Sequence, residues 1–200
     1  MTVQQQRHDV FRAAVLASAE TEFARVGYDR AKVAAVAKGA DVSLATVYKL
    51  FDGKQDIWDQ LHAERMQVLL ERVRRRGASA GTPLDRLLAG IAGVAEFLTE
   101  HDDYLALSLD QPSGWLAPGD GVGVQRSVWS AGLEMIRQGV DAAVAAEEIE
   151  GMRPGVASRL VVSVLQVWLA EWVESGRDRP ADDLVADLVG SLRGFLTVNR

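Results

Sequence analysis

The chain of 200 residues contains no cysteine, which removes disulfide scaffolds, thiolate zinc sites, iron–sulfur clusters and cysteine nucleophiles from consideration. Proline is scarce at 5 residues and glycine stands at 18, so collagen-like repeats and Pro/Gly-rich disorder are excluded. A long hydrophobic run is also missing. The longest apolar stretches, such as Leu160 to Leu165, are interrupted by Ser163, and none approaches the roughly 18 uninterrupted apolar residues of a membrane-spanning helix. No membrane partner is therefore expected. Met1 to Arg12 is polar, with no apolar core leading to a small-residue cleavage site, so no secretory signal is read and a cytoplasmic location is expected. Positive charge is in short supply as well: the net charge is −6, an average that argues against a phosphate-rich partner.

What is present is 48% hydrophobic and 25% charged, the composition of a globular chain of one or two small domains. Its charge is unevenly spread. Residues 1 to 54 carry a net +2 and residues 55 to 200 a net −8, and all four lysines (Lys32, Lys38, Lys49, Lys54) fall between 32 and 54. The split describes a small module able to approach an anion, joined to a larger body that is not.

Apolar residues recur at helical spacing almost throughout, with no strict apolar/polar alternation between turn residues, so the expected class is all-α. The spacing predicts a first helix from about Gln5 to Val26, with the stripe Phe11, Val15, Ala19, Phe23 and a cap at Gly27. Two short helices follow, Val33 to Lys38 and Leu44 to Leu50, the second with Ser43 as N-cap. Lys54 opens a long helix that ends in the run Arg72, Arg74, Arg75, Arg76. Those cations suit the negative pole of the helix dipole, and that structural role is preferred to a binding patch. Further helices are expected at about Pro83 to Glu100, Asp102 to Leu109, Val122 to Ala146, Pro154 to Ser175 and Ala181 to Val198. Turn-forming stretches separate them, notably Gln111 to Gly123.

Three helices within the first 50 residues, the last two short and separated by a four-residue turn, have the layout of a helix-turn-helix unit. In Val33 to Lys49 the apolar set Val33, Val36, Ala37, Val42 and Val47 turns inward, leaving Ser43, Leu44, Ala45, Thr46, Tyr48 and Lys49 outward. Leu44, Ala45 and Thr46 lie in the N-terminal half of the recognition helix, placed to meet base edges, and the first two can contact a thymine methyl. Tyr48, Lys49 and Lys54 suit phosphate oxygens.

Over about Val10 to Leu61 the sequence resembles the TetR family of one-component bacterial transcriptional regulators. The resemblance rests on Phe23 followed by Gly27-Tyr28, the pair Val36-Ala37, Val42-Ser43, Thr46-Val47-Tyr48, Phe51, and Lys54 at the next helix start. Two positions depart from the family pattern. Asp41 replaces the usual turn glycine, a change Asp tolerates better than most residues. Lys32 replaces the usual Thr or Ser cap of the second helix, losing a cap and gaining a phosphate contact. The resemblance implies phosphate contacts for Tyr48 and Lys54, dimerisation through the last two helices, and release from double-stranded operator DNA on binding a small-molecule effector. It implies residues 1–53 as the DNA-binding domain and 54–200 as the ligand-binding and dimerisation domain.

In the larger part, broad apolar stripes mark Pro154 to Ser175 and the final helix, and they can build a four-helix interface between two copies. Val161, Leu165, Trp172, Leu188, Leu192 and Phe195 are the expected homodimer contacts, with an intramolecular core as the competing use. A pocket for a small apolar or aromatic effector is expected among the middle helices, with Phe97, Tyr104, Trp115, Trp129 and Trp168 as candidate walls beside Leu107, Met135 and Trp172. Catalytic readings find little. The pair Asp182 and Asp183, with Asp187 a turn later, suits the start of a helix, His8, His62 and His101 are scattered, and Gly119, Gly121 and Gly123 follow no strand. Neither a cofactor nor a metal is expected, nor is enzyme activity. The alternative is an all-α enzyme or ligand-binding scaffold with a vestigial helix-turn-helix.

Overall fold

A computed structural model describes residues 3–78, 80–109 and 124–197, apart from the side chains of 124–130. Among the described residues every regular element is an α-helix: α1 (Val3–Val26), α2 (Val33–Gly39), α3 (Leu44–Leu50), α4 (Lys54–Ala78), α5 (Pro83–Glu100), α6 (Asp102–Leu109), α7 (Val124–Ala145), α8 (Pro154–Glu174) and α9 (Ala181–Thr197). These bounds lie close to the expected ones because the terminating chemistry is local. The Ser43 hydroxyl accepts the Thr46 N–H at 3.0 Å to start α3. Thr82 likewise accepts from Asp85 N–H at 3.2 Å ahead of Pro83. Lys32 caps nothing, as expected: its backbone is extended and its side chain makes no cap bond. The stretch 111–123, with Trp115 and the three loop glycines, lies outside the described residues.

Two hydrophobic cores organise the helices. The first joins α1, α2 and α3 to the start of α4 through Val15, Phe23, Val36, Val47, Ile57 and Leu61. A division at residue 53 cuts through it, since Ile57, Trp58 and Leu61 of α4 are integral to it. Leu107 of α6 also belongs to this core although the other members lie within residues 15–61. The second core surrounds α5, which packs against α4, α7 and α9. Gly90 of α5 lets α4 come close, because a Cβ there would sit 3.3 Å from a Val73 methyl.

The stripes on α8 and α9 are used differently from expectation. Val161, Leu165, Trp172, Leu188 and Leu192 are all between 0% and 5% exposed inside a single chain. The intramolecular core claims these side chains, so they are not available to a partner; of the six expected contacts only Phe195, 51% exposed, remains on the surface. The apolar residues that α8 leaves outward are Val156 and Val167, 46% and 65% exposed. Eleven residues apart, they share one helical face. With both faces apolar, α8 is also the one described helix long and apolar enough to cross a bilayer by length and composition.

Candidate DNA interface and ligand cavity

The turn between α2 and α3 is closed by Val42 N–H donating to the Ala37 carbonyl at 3.0 Å and Asp41 N–H to that of Lys38 at 3.2 Å. Asp41 has φ +53°, a left-handed conformation that Asp adopts with less strain than most side chains. Gly39 is needed for a different reason: a Cβ there would run into the Ser18 hydroxyl, which donates to the Val36 carbonyl at 2.8 Å and ties α1 to α2.

On α3, Val47 is wholly buried, which fixes the opposite face outward. Leu44 is 42% exposed and Tyr48 55%, Ala45 and Lys49 are exposed, and Thr46 is half-buried. This outer face presents methyl groups, a hydroxyl and an ammonium, the set that meets base edges and phosphates in a major groove. Lys32 is exposed at the start of α2. Ser43 has a more local task than expected. Its oxygen takes the Thr46 N–H and lies 2.8 Å from the Thr46 hydroxyl, so it starts α3 and orients Thr46.

Lys54 departs furthest from expectation. Its Nζ donates to the carbonyls of Tyr28 at 2.8 Å, Asp29 at 3.1 Å and Ala31 at 3.3 Å. It also lies 4.5 Å from the centre of the Tyr28 ring. An ammonium has three donors and all three are spent, so Lys54 clamps the loop between α1 and α2 rather than reaching for phosphate. Tyr28, Phe23 and Trp58 pack ring against ring, and Trp58 meets His62 with centroids 4.3 Å apart.

His62 opens onto the junction of the two cores. The three buried polar residues among the described ones, Glu20, His62 and Ser108, all lie there, one each on α1, α4 and α6. Glu20 is held by the Arg65 guanidinium, whose Nε donates to it at 3.0 Å. His62 Nδ1 is 3.0 Å from the Tyr104 hydroxyl, and Thr21 donates to Asp103 at 2.7 Å. Burial, reinforced by the Glu20 carboxylate, pushes the Tyr104 hydroxyl above its ordinary pKa, so it keeps its proton. Burial lowers the His62 pKa from 6.5 to about 4.

Between those two values the unfolded chain takes up a proton that the folded chain refuses, so stability falls as pH drops, by about 1.4 kcal/mol per unit. The His62 contribution from pH 7.5 to pH 5 is a loss of about 2 kcal/mol. Urea unfolding of the parent and of His62→Gln at both values measures it. The variant should lose less stability by that amount, and an equal loss in the two proteins counts against the assignment.

Directly beyond Tyr104 lies a cavity of about 310 Å³, within the range of small-molecule sites. It runs between α4, α5 and α7, with walls that include Leu69, Val73, Leu87, Ile91 and Ile136. Tyr104 and Ser108 of α6 line it, with Val162 and Leu165 of α8. Of the candidate ligand residues Tyr104 lines this cavity, as does Met135. Phe97 does not: it is fully buried behind Tyr104 and stacked on His101 at 4.3 Å. Trp168 packs on the core elsewhere, with the Arg179 guanidinium 5.6 Å from its ring. Trp115 and the side chain of Trp129 lie outside the described residues. The aliphatic walls on α4, α5 and α7 escaped sequence reasoning because lining and core aliphatics carry the same helical periodicity.

Among the described residues no three His, Asp or Glu side chains gather into a potential metal site. Asp182 and Asp183 stand in the first turn of α9, and Asp187 accepts from Arg179 at 2.9 Å.

Comparison with known proteins gives matches to this geometry. Residues 15–61 match the family described as bacterial regulatory proteins, tetR family. No curated protein matches the chain. Among solved structures, the transcriptional regulator FadR from Bacillus subtilis, in complex with stearoyl-CoA, superposes with a TM-score of 0.76 at 22% identity, covering 94% of this chain and 98% of its own. The ketosteroid transcriptional regulator KstR2 of Mycobacterium tuberculosis gives 0.76 at 19% identity, covering 93% and 94%. AibR, in complex with isovaleryl coenzyme A and operator DNA, gives 0.74 at 16% identity, covering 94% and 98%. Likeness at these identities establishes a shared fold over 93–94% of this chain.

Proposed function

We propose, from the match of residues 15–61 to the tetR family of bacterial regulatory proteins, that the chain is a ligand-responsive repressor of that family that binds operator DNA as a homodimer. The observation that carries this reading is the outward face of α3, from Leu44 to Lys49, presented by a capped and tightly turned α2–α3 unit. The effector cavity supports the other half. AibR pairs isovaleryl coenzyme A with operator DNA and FadR holds stearoyl-CoA, which supports regulation by a small molecule in a chain of this shape. Regulation rather than catalysis is the proposed activity.

The coupling between the two parts runs through α6. Tyr104 and Ser108 line the cavity, Leu107 sits in the DNA-binding core, and Asp103 accepts from Thr21 on α1. An effector that favours a different placement of α6 drags α1 and α4 with it, and its differential affinity for the two placements sets the size of the response. In a dimer, two α3 helices about 34–36 Å apart fit successive major grooves, and a changed spacing releases the DNA. The face carrying Val156 and Val167 on α8, with Phe195 on α9, supplies exposed apolar surface for the second copy.

Mobility shift on the chain's own upstream DNA, titrated with salt, tests the reading. Tyr48→Ala is expected to weaken binding roughly tenfold on all sequences, because a phosphate contact carries no sequence information, whereas Thr46→Ala also alters base preference. Unchanged affinity in Tyr48→Ala would sink the assignment of α3 as the recognition helix.

A further inference from the structure

Of the arginines that end α4, Arg72 and Arg76 have a different fate from Arg74. Arg72 donates to Glu100 at 2.6 Å and Arg76 pairs with Glu96, so one face of the helix is spent on α5. Arg74 instead lines the cavity, as does Arg86 of α5. Among the described residues Arg74 pairs with an exposed Glu71 at 3.5 Å, and Arg86 gives one N–H to the Gly81 carbonyl at 3.0 Å. A guanidinium has five donors, so both retain most of theirs.

The charge sits at one end. The cavity wall on α4 runs from Met66 through Leu69 and Val73 to Arg74 and Gly77, which at 1.5 Å per residue is about 16 Å. A Cβ at Gly77 would lie 3.8 Å from the Arg86 carbonyl, so Arg86 stands level with the end of α4, beside Arg74. The far end, at Met66, Leu98, Tyr104 and Ser108, is uncharged, and among the described residues no Asp or Glu lines the cavity. Two guanidinium groups at one end of a cavity whose other described lining residues carry no charge disfavour a cationic ligand and give an anionic one a partner that a neutral one lacks.

We propose that the cavity takes an amphiphile with an anionic head, a carboxylate or a phosphate ester, held by Arg74 and Arg86 at the α4–α5 turn, with its apolar tail lying between α4, α5 and α7 and ending at Tyr104. The proposal rests on the regulator reading of the same cavity. It makes Tyr104, the residue joined to His62 at the junction, the point where the length of the tail is felt.

Calorimetric titration of the full chain tests this with the six-, ten- and sixteen-carbon members of three series: fatty acids, their coenzyme A thioesters and the corresponding alcohols. Anionic members are expected to bind roughly tenfold or more tighter than the matching alcohol. The double substitution Arg74→Gln with Arg86→Gln should remove that advantage and leave the alcohols unchanged. Preference for the acid over the thioester identifies a carboxylate head, and the reverse identifies the phosphates. Gly132→Leu adds a side chain at a cavity-lining position where a Cβ meets nothing within 4 Å, and it raises helix propensity. It should abolish binding of every probe while the unfolding midpoint holds or rises. Alcohols binding as tightly as the anions, anion binding indifferent to the glutamines, or no binding of any probe each overturns the proposal. Operator binding of the ligand-free protein is read separately: its loss with anion binding intact fails the regulator reading, and its presence with no anion binding fails only this one.

Discussion

Val167→Glu is expected to turn a dimer into a monomer and to cost between roughly a hundredfold and ten-thousandfold in affinity for a two-half-site operator, while helix content and monomer folding stay intact. Val167 is 65% exposed near the middle of α8, and Glu is a better helix former than Val at such a site, so the single chain has no reason to unfold. In an apolar interface the same carboxylate is buried without a partner, which costs several kcal/mol. Once the copies separate, the second half-site no longer benefits from being tethered, and a tethered site gains by about 10² to 10⁴. Sedimentation and operator titration on one preparation read both effects. Leu188→Ala is the contrasting variant: Leu188 is 0% exposed, so its loss appears as about 2–5 kcal/mol of folding stability rather than as dissociation. A Val167→Glu protein that remains dimeric, with operator affinity within twofold of the parent, would place the partner elsewhere.

Lys54→Met is expected to lower the unfolding midpoint by roughly 5–10 °C, equivalent to about 2–3 kcal/mol for a chain of this size. The substitution preserves the aliphatic stem and removes the ammonium that three loop carbonyls accept from. The loop it clamps leads directly into α2, so DNA affinity should fall as well, by a similar factor at every salt concentration. That distinguishes the clamp from a phosphate contact, whose removal leaves stability alone and flattens the salt dependence by about one unit of slope. A thermally unaltered variant with the flatter slope would return Lys54 to the phosphate.

The recognition helix was legible because everything that shapes it is local: the Ser43 cap, Val47 turned inward, Asp41 in the turn, all within ten residues. The bounds of α5 and α8 were legible for the same reason, each having Pro at its first turn. Lys54 was misread because its partners lie 23 to 26 residues away, and a lysine at a helix start carries no mark of whether it serves a loop or a ligand. Phe97 and Trp168 were misread as pocket walls because aromatic size alone does not separate a core from a cavity. The aliphatics of α4, α5 and α7 that do line it have no distinguishing composition.

The sequence by itself determined an all-helical chain, a helix-turn-helix near its start and the outward set Leu44, Ala45, Tyr48 and Lys49 with Thr46 half-buried among them, because helix periodicity, caps and turn dihedrals are fixed by neighbours within a turn or two. Only the tertiary structure decided which face of α8 and α9 the chain keeps for itself, where Lys54 and Arg74 point, and that Tyr104 and Leu107, three residues apart on α6, belong to different cores. An apolar stripe wider than one contact states that burial will occur without naming the neighbour. That choice belongs to the packing of helices distant in sequence, where volume, hydrogen-bond partners and charge are settled together.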